Sequence, residues 1–309
     1  MMSDINKLLK EARLNKEIIK TQKITFLGVE GEDVYNICQP FVWHGKTYLP
    51  GRVEPRDKEV SRVIFFEEID RDTYKATQYQ IHNFQDPCVT TIDGDLVVGG
   101  TEIFMDEKDN ITHWHTTFYK GSSLDNLTKV LVAPLNMKDV RLLQDKNGIH
   151  IFTRPQGGVA GPGKIGYTFA KKFNEITTTM IKDAAILPNQ FSATTWGGVN
   201  EVFALKNGWL GILGHIATFS DGDVRHYYGM TFAFNPRTKE ATPLKIICER
   251  SDFKKGAAKR PDLVDVVFAG GLLRHEQELA TLYVGLSDAE GHYALMEDPF
   301  IEYERLTKV

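Results

Sequence analysis

The feature that most constrains the fold is a unit that occurs five times along the chain. In each copy a polar or acidic residue begins an apolar strand, a turn follows, and a second apolar strand comes after the turn. The copies are VYNICQPFVWHGKTYLPGRVE, NFQDPCVTTIDGDLVVGGTEI, NMKDVRLLQDKNGIHIFTRPQ, GVNEVFALKNGWLGILGHIA and LVDVVFAGGLLRHEQELATLYVGLS. Their spacing of roughly 50 to 60 residues is about the length of one four-stranded propeller blade. The repeat therefore predicts an all-β chain folded as a five-bladed β-propeller.

The first 20 residues differ from the rest of the chain. MMSDINKLLKEARLNKEIIK is charged and amphipathic, which predicts an N-terminal helix packed on the outside of the propeller. Residues 21–309 then form a single catalytic domain. A β-sandwich would also contain many short strands, but it would not repeat one unit at blade intervals. The basic stretch CERSDFKKGAAKRPDL is interpreted as a long connection between the fourth and fifth blades.

Composition excludes several classes of partner. The 309 residues are 42% hydrophobic and 25% charged with a net charge of -4, so there is no basic surplus that would indicate nucleic-acid binding. No apolar run reaches membrane-spanning length and no signal peptide is present, which predicts a cytoplasmic protein without a membrane partner. Three widely spaced cysteines, Cys38, Cys88 and Cys248, indicate reduced thiols rather than a disulfide framework.

A polar residue near the start of the first strand in each unit suggests a common site. These residues are Asn36, Asp86, Asp139, Glu201 and Asp265. The first strand of every propeller blade lines the central channel, so we expect the five side chains to meet at one mouth of it. Four acids there would repel one another and be costly to desolvate unless water, basic side chains or a polyhydroxylated ligand separated them. The alternative for Asp86 is an ordinary turn residue before Pro87.

Several phrases resemble a known family in order along the chain. NFQDPCVTTIDGDLVVGG, NGIHIFTRPQGG, NGWLGILGHIA with YYGMTFAFNP, and DVVFAGGLL with ATLYVGLSDAEGHY are similar to the five-bladed propellers of the family 130 mannoside phosphorylases. The runs GRVEPRDKEVSRVIFF and WGGVNEVFALKNGWLGILGHIA resemble a closer group, the DUF1861 proteins classed as β-1,2-mannan mannosyltransferase/phosphorylases of glycosyltransferase family 108. Gln85 and Cys88 depart from family 130, which has Glu and Arg at those places.

The resemblance implies reversible transfer of mannose from β-1,2-linked mannooligosaccharides to inorganic phosphate, with inversion to α-mannose 1-phosphate. Relatives in the closer group also use GDP-mannose as donor, and the sequence contains no nucleotide motif that decides between the two donors. The candidate acid is Asp86, which would protonate the leaving oxygen, directly or through a sugar hydroxyl. Hydrolases of this fold place an Asp base in the first blade, where this chain has Asn36, and an amide takes up no proton in that role.

A phosphorylase needs cations for its anionic substrate. Arg154 precedes the glycine-rich loop PQGGVAGPGK, which ends in Lys164 and could present backbone N–H groups and two positive charges to an oxyanion. A flexible hairpin is the alternative. Arg52 and Arg56 are further candidates, although Arg56 could equally form a surface ion pair with Glu54 or Glu59. The resemblance places His215 near the phosphate, and a buried core histidine is its alternative.

Carboxylates and amides that accept hydrogen bonds from sugar hydroxyls complete the predicted site. The predicted sugar contacts are Asn36, Asp139, Asn200, Glu201 and Asp265. Trp196 and Tyr35 could stack on a pyranose ring or belong to the core, and Trp209 is assigned to the core.

His113 and His115 lie on one side of a predicted strand, but no third ligand follows at a convincing spacing. We therefore expect neither a metal nor another cofactor. Two other functions remain open: a hydrolase that pairs Asp86 or Asp139 with Glu201, and a non-catalytic sugar-binding propeller. The oligomeric state is not specified by the sequence.

Overall fold

A computed structural model describes residues 4–309, and most of its regular structure is β-strand. The prediction of a chain built mainly of β-strands is confirmed. Group one consists of β3 (Asp33–Tyr35), β4 (Phe41–Trp43), β5 (Lys46–Glu54), β6 (Arg62–Asp70) and β7 (Thr73–His82). Group two consists of β8 (Phe84–Ile92), β9 (Asp95–Met105), β10 (Ile111–Gly121) and β11 (Thr128–Val132).

The remaining strands continue the same pattern. Group three consists of β12 (Arg141–Asp145), β13 (Gly148–Thr153), β14 (Gly166–Ala170) and β15 (Ala185–Ile186). Group four consists of β16 (Thr195–Ala204), β17 (Leu210–Ser220), β18 (Val224–Phe234) and β19 (Lys245–Cys248). Group five consists of β20 (Asp265–Arg274), β21 (Leu279–Leu286) and β22 (Glu290–Glu297), and β1 (Ile18–Lys23) adds to its outer edge. Within each group neighbouring strands pair antiparallel.

Parallel contacts link some of the groups. β2 (Thr25–Leu27) pairs with β7, β18 pairs with β20 at His226 and Asp265, and β22 pairs with β3 at Glu290 and Val34. The short helices are α2 (Thr178–Lys182) and α3 (Ile301–Glu304). Because β1 pairs with β22, the beginning and the end of the chain lie in the same sheet.

The core is divided among the contacts between successive groups. Clusters of buried residues join group one to two (Phe65, Phe84), two to three (Ile92, Ile151), three to four (Phe152, Phe232), four to five (Leu213, Val267) and five to one (Tyr293, Phe66). Each group therefore loses solvent on both faces, which explains why its strands carry apolar residues on both sides.

The N-terminal helix α1 spans Ile5–Asn15 and begins at Asp4, whose carboxylate accepts a hydrogen bond from Asn6 N. Leu8, Leu9 and Ala12 bury one face of it in the cluster between groups three and four. The predicted helix of residues 1–20 is longer. Residues 1–3 lie outside the described residues, and 18–20 belong to β1, where the β-branched residues of IIKT favour a strand.

No helix in residues 4–309 is long and apolar enough to cross a membrane. Cys38, Cys88 and Cys248 are free thiols, and Cys38 and Cys248 are buried.

Candidate active site

The first strand of each group, its inner strand (β3, β8, β12, β16 and β20), has one residue that leaves the regular pairing within it or beside it, and these interruptions build the site. β3 ends before Asn36, pairing between β8 and β9 breaks between Gln85 and Cys88, and Asp139 lies two residues before β12. The backbone φ angles of Asn36, Asp86 and Asp139 are 43°, 52° and 58°, in the left-handed region that Asn and Asp tolerate better than most residues. Left-handed residues off the hydrogen-bond ladder can direct their side chains away from the regular pleat.

The corresponding interruptions in groups four and five lie at Asn200 and Gly270. Glu201 and Asp265, which were predicted from the sequence at these positions, lie one residue too late and five residues too early. A shift of one residue on a strand turns a side chain to other surroundings, which accounts for the different contacts of Asn200 and Glu201.

Asp86 is buried, with 7% of its surface exposed. Its Oδ1 accepts a hydrogen bond of 2.8 Å from Nδ2 of Asn36 and lies 3.6 Å from Nη1 of Arg52. Two polar atoms beside it are buried without a hydrogen-bond partner, Oδ1 of Asn36 and Nε2 of Gln85. A carboxyl group in this setting is not a surface turn residue, and its surroundings contain unused hydrogen-bonding capacity.

Arg52 is held by carboxylates. Its guanidinium donates to Oε2 of Glu54 at 2.8 and 3.0 Å and to Glu59 at 3.1 Å, and it lies 4.9 Å from the centre of the Tyr35 ring. Glu54 is fully buried and also accepts hydrogen bonds from Tyr35 and Lys259. Tyr35 is thereby buried within this network, so it offers no free face for stacking on a sugar.

Asp288 is a half-buried residue of this site that was not predicted from the sequence. It lies in the turn between β21 and β22, where Ser287 and Asp288 both adopt left-handed φ angles of 53° and 51°. Burial raises the pKa of Asp288 to about 6, and the neighbouring Asp86 carboxylate raises it further, against the opposing charges of Arg52 and Lys259. The sequence signal was weak, because Ser and Asp between two strands also read as an ordinary hairpin turn.

The second half of the site surrounds Asp139. Nη1 of Arg154 lies 3.0 Å from its Oδ2, and Nη2 of Arg141 lies 3.8 Å from its Oδ1. Burial alone would raise the pKa of Asp139, but Arg154, together with His215, Lys138 and Arg141, lowers it to about 2. Three cationic side chains therefore face one carboxylate, which leaves a surplus of positive charge suited to an anion.

Hydrogen bonds fix the tautomer of His215. Nδ2 of Asn200 donates to the carbonyl of Ala269 at 2.7 Å, so the amide Oδ1 faces Nδ1 of His215 at 2.9 Å and that nitrogen carries the proton. Burial lowers the pKa of His215 to about 3, although Asp139 opposes the shift. The neutral ring thus keeps Nε2 as an acceptor, able to receive a hydrogen bond from a protonated phosphate oxygen or a sugar hydroxyl.

Two glycines leave the space that this cluster occupies. A Cβ atom on Gly198 would lie 2.9 to 3.1 Å from side-chain atoms of Arg154, Asp139 and His215. A Cβ atom on Gly163 would lie 2.8 Å from Nε of Arg154. The glycine-rich loop therefore approaches Arg154 closely, and Lys164 follows in it half-buried, with no ion pair among residues 4–309.

Aromatic rings border His215. The ring of Tyr227 stacks on it at 5.5 Å, and Nε1 of Trp196 donates to the Tyr227 hydroxyl at 3.3 Å. Trp196 is buried. Trp209 lies elsewhere, against the cluster between groups four and five.

Three predicted site residues have partners away from this cluster. Arg56 is half exposed and forms a bidentate ion pair with Asp33 at 2.6 and 2.7 Å, not with Glu54 or Glu59. Asp265 pairs with Nδ1 of His226 at 2.6 Å at the edge between groups four and five. Oε2 of Glu201 accepts a hydrogen bond from Leu272 N at 2.7 Å.

His113 and His115 lie on an outer strand of group two. His113 stacks on Phe104, and Nε2 of His115 lies 3.1 Å from Glu102. Within residues 4–309 no three His, Cys, Asp or Glu side chains are arranged to hold a metal ion.

The pKa of Glu201 predicts how the stability of the fold depends on pH. Burial raises its pKa to about 8, against the Leu272 N–H and Arg141, whereas an unfolded glutamate titrates at about 4.3. The folded chain therefore binds this proton more tightly, and this group's stabilising contribution is lost as pH rises from about 4.3 to 8, by at most about 1.4 kcal/mol per pH unit. Glu201→Gln has no such proton, so we expect the stability difference between variant and wild type to increase in favour of the variant over this range. Urea unfolding at pH 5, 6, 7 and 8 measures it, and a constant difference would contradict the burial of this carboxyl.

Comparisons with known proteins bear on this geometry. A model of the family DUF1861, described as a protein of unknown function, matches residues 10–302. MPT-4, a mannose phosphorylase from Leishmania mexicana solved with a phosphate ion, is 31% identical with a TM-score of 0.90, over 97% of this chain and 94% of its own. No match was found among proteins with curated functions.

Two further solved structures are similar. MPT-1, a GDP-Man-dependent mannosyltransferase from Leishmania mexicana, is 27% identical with a TM-score of 0.88, over 99% of this chain and 97% of its own. The β-1,2-mannobiose phosphorylase of Listeria innocua, at 14% identity and a TM-score of 0.61, covers 89% of this chain and 93% of its own and is similar in fold. The resemblance drawn from the sequence is confirmed.

Proposed function

The chain belongs to the DUF1861 family, and on that basis we propose that it is an inverting β-mannoside phosphorylase and mannosyltransferase acting on β-1,2-linked mannooligosaccharides. An oxygen of phosphate bonds to the anomeric carbon while the bond from that carbon to the bridging oxygen breaks. The bridging oxygen takes a proton from Asp86, directly or through a sugar hydroxyl. The products are α-mannose 1-phosphate and a chain one residue shorter.

The observation that carries this proposal is the ion pair of Arg154 and Asp139. A carboxylate with a pKa of about 2 is a poor base for activating water, so Asp139 is unsuited to hydrolysis. The same cluster has surplus positive charge from Arg141 and Lys138 for phosphate, which is already a nucleophile. Glu201, the other partner considered for a hydrolase, has contacts that turn it away from the site.

The sugar is assigned to the polar side chains around Asp86. Asn36 and Asp288 neighbour Asp86 and can accept hydrogen bonds from hydroxyls, and Asn200 holds His215 in the tautomer that accepts one. Phosphate is assigned to Arg154, Lys138 and Lys164. Arg52 acts by positioning Asp86, because Glu54 and Glu59 already occupy its guanidinium.

The proposal extends to the arrangement of the strand groups as five blades around one axis. The packing of each group against the next, from five back to one, supports it, as does the completion of group five by β1. In that arrangement Asn36, Asp86, Asp139, Asn200 and Gly270 meet at the axis. Free thiols at all three cysteines suit a cytoplasmic enzyme.

The deciding experiment incubates the protein with a β-1,2-mannooligosaccharide series, with and without inorganic phosphate, and follows mannose 1-phosphate and free mannose. We expect mannose 1-phosphate that depends on phosphate. Free mannose formed without phosphate would make the protein a hydrolase, and binding without either product would make it a sugar-binding protein. GDP-mannose is tested in parallel as donor to a mannooligosaccharide acceptor, because MPT-1 uses that donor.

The pH dependence of phosphorolysis tests the role of Asp288. Its carboxyl has a pKa of about 6 and neighbours Asp86, so below that pH it is a neutral group that can donate a hydrogen bond to a sugar hydroxyl. Loss of its proton removes this donor and leaves a negative charge beside the acid, and we expect kcat/KM to fall about tenfold per unit as pH rises above about 6. In Asp288→Asn this fall in kcat/KM should shift to another pH or disappear. An unchanged fall in Asp288→Asn would exclude Asp288 as the group that titrates, and Asp265→Asn is the matched control.

A further inference from the structure

A cavity lies beside the segments that follow the interrupted positions of the inner strands. Its volume is about 420 Å³, within the range of about 300 to 1,000 Å³ that small-molecule sites occupy. Four segments that line it each follow one of the interrupted positions: residues 39–43 follow Asn36, 89–91 follow Asp86, 201–203 follow Asn200, and 272–274 follow Gly270. None of the residues assigned above to acid catalysis or phosphate binding lines it.

Close packing separates this cavity from the candidate active site. A Cβ atom on Gly270 would lie 1.7 Å from the carbonyl oxygen of Ile37, so the backbones of groups five and one touch there. Nε2 of Gln39 donates to the carbonyl of Val89 at 3.4 Å and links groups one and two. The cavity is therefore a separate compartment.

The lining combines apolar rings with unused polar groups. Phe41, Trp43 and Phe203 contribute aromatic surface. Glu201 uses Oε2 for the Leu272 N–H, and no partner occurs for its Oε1 among residues 4–309. The hydroxyls of Thr90 and Thr91 make no hydrogen bond within the described residues either.

The cavity has no free charge to attract an ion. Arg274, at its edge, is neutralised by Asp298 at 2.6 Å and Glu304 at 2.8 Å. With its pKa raised to about 8 by burial, Glu201 carries a proton at neutral pH and can donate as well as accept. Aromatic surface beside neutral donors and acceptors fits a neutral molecule that has both an apolar ring face and hydroxyl groups.

We propose that this cavity is a second saccharide-binding site, which holds a neutral sugar unit without reacting it. The choice of mannose as that sugar rests on the proposed function, whereas the chemical class rests on the lining. Such a site would hold part of a mannooligosaccharide away from the reacting end, and so would raise the effective concentration of the chain near the enzyme.

Calorimetric titration of Asp86→Asn with β-1,2-mannobiose, in the absence of phosphate, tests the proposal without turnover. We expect two binding sites per chain, one of which is weakened at least tenfold by adding Trp43→Ala. Thr91→Lys, at an exposed position of the lining, is a second variant that fills the cavity without removing core packing. In the wild-type background both changes should leave the phosphorolysis of mannobiose intact, and thermal unfolding checks that each variant folds.

The outcomes separate this proposal from the proposed function. One site that is abolished by Trp43→Ala and Thr91→Lys would support the second site and contradict mannoside binding at Asp86. The second site would be overturned by any of three results. These are a single binding site that both changes leave intact, two sites that both changes leave intact, and no binding of mannobiose.

Discussion

Asp86→Asn is expected to lower kcat for phosphorolysis by about 100- to 10,000-fold, the usual contribution of a general acid. Asparagine has almost the same shape, and its oxygen can still accept the hydrogen bond from Asn36. It cannot release a proton to the bridging oxygen, so the bond to the anomeric carbon must break without acid assistance. Arg52 keeps its ion pair with Glu54, and the fold should therefore be unaffected. Release of mannose 1-phosphate under saturating substrates measures the loss.

Asp265→Asn is the matched control for this change. It is the same substitution at a residue that was predicted from the sequence to lie at the same mouth of the channel. In the structure Asp265 pairs with His226 instead. We expect kcat near the wild-type value. Equal losses in both variants would favour a site that contains both Asp86 and Asp265, as predicted from the sequence, over a site formed by the interrupted positions of the inner strands. Full activity in Asp86→Asn, with mannobiose still bound, would remove Asp86 from the acid role.

The sequence predicted the features that repeat locally. Alternating apolar strands and turns occur five times, so strand content and group boundaries followed from the pattern. Asp86 and Asp139 were recognised because each begins its predicted strand in the sequence, beside Pro87 or Lys138. In group four the sequence offered both Asn200 and Glu201, and pairing with β17 was needed to show that Asn200 is the interrupted residue.

The rest depended on contacts between distant segments. Lys259 reaches Glu54 across 205 positions, and Asp288, in group five, approaches Asp86, in group two, only in the folded chain. No local pattern reports such contacts. The same applies to Arg52, whose charge looks available in the sequence but is taken up by Glu54 and Glu59 in the fold.

Arg154→Met is expected to impair both phosphate binding and folding. Loss of one charge-assisted contact costs about 1.5 to 3 kcal/mol, which corresponds to a KM for phosphate about 10- to 100-fold higher. Removing one member of a buried ion pair also leaves Asp139 without its main partner, which typically costs about 3 to 5 kcal/mol of stability. Phosphate saturation curves measure the first effect and urea unfolding measures the second. Arg154→Lys, which keeps the charge but loses the planar fork, should be less damaging in both.

A double variant separates the two effects. Adding Asp139→Asn to Arg154→Met removes the uncompensated carboxylate, so most of the lost stability should return, because the remaining buried amide is neutral. Phosphate binding should not recover, since the guanidinium is still absent and the remaining cations, Arg141, Lys138 and Lys164, do not replace its contact. A double variant with wild-type stability and wild-type affinity for phosphate would mean that Arg154 serves only to neutralise Asp139. A double variant that is stable but needs far more phosphate would assign the anion to Arg154 directly.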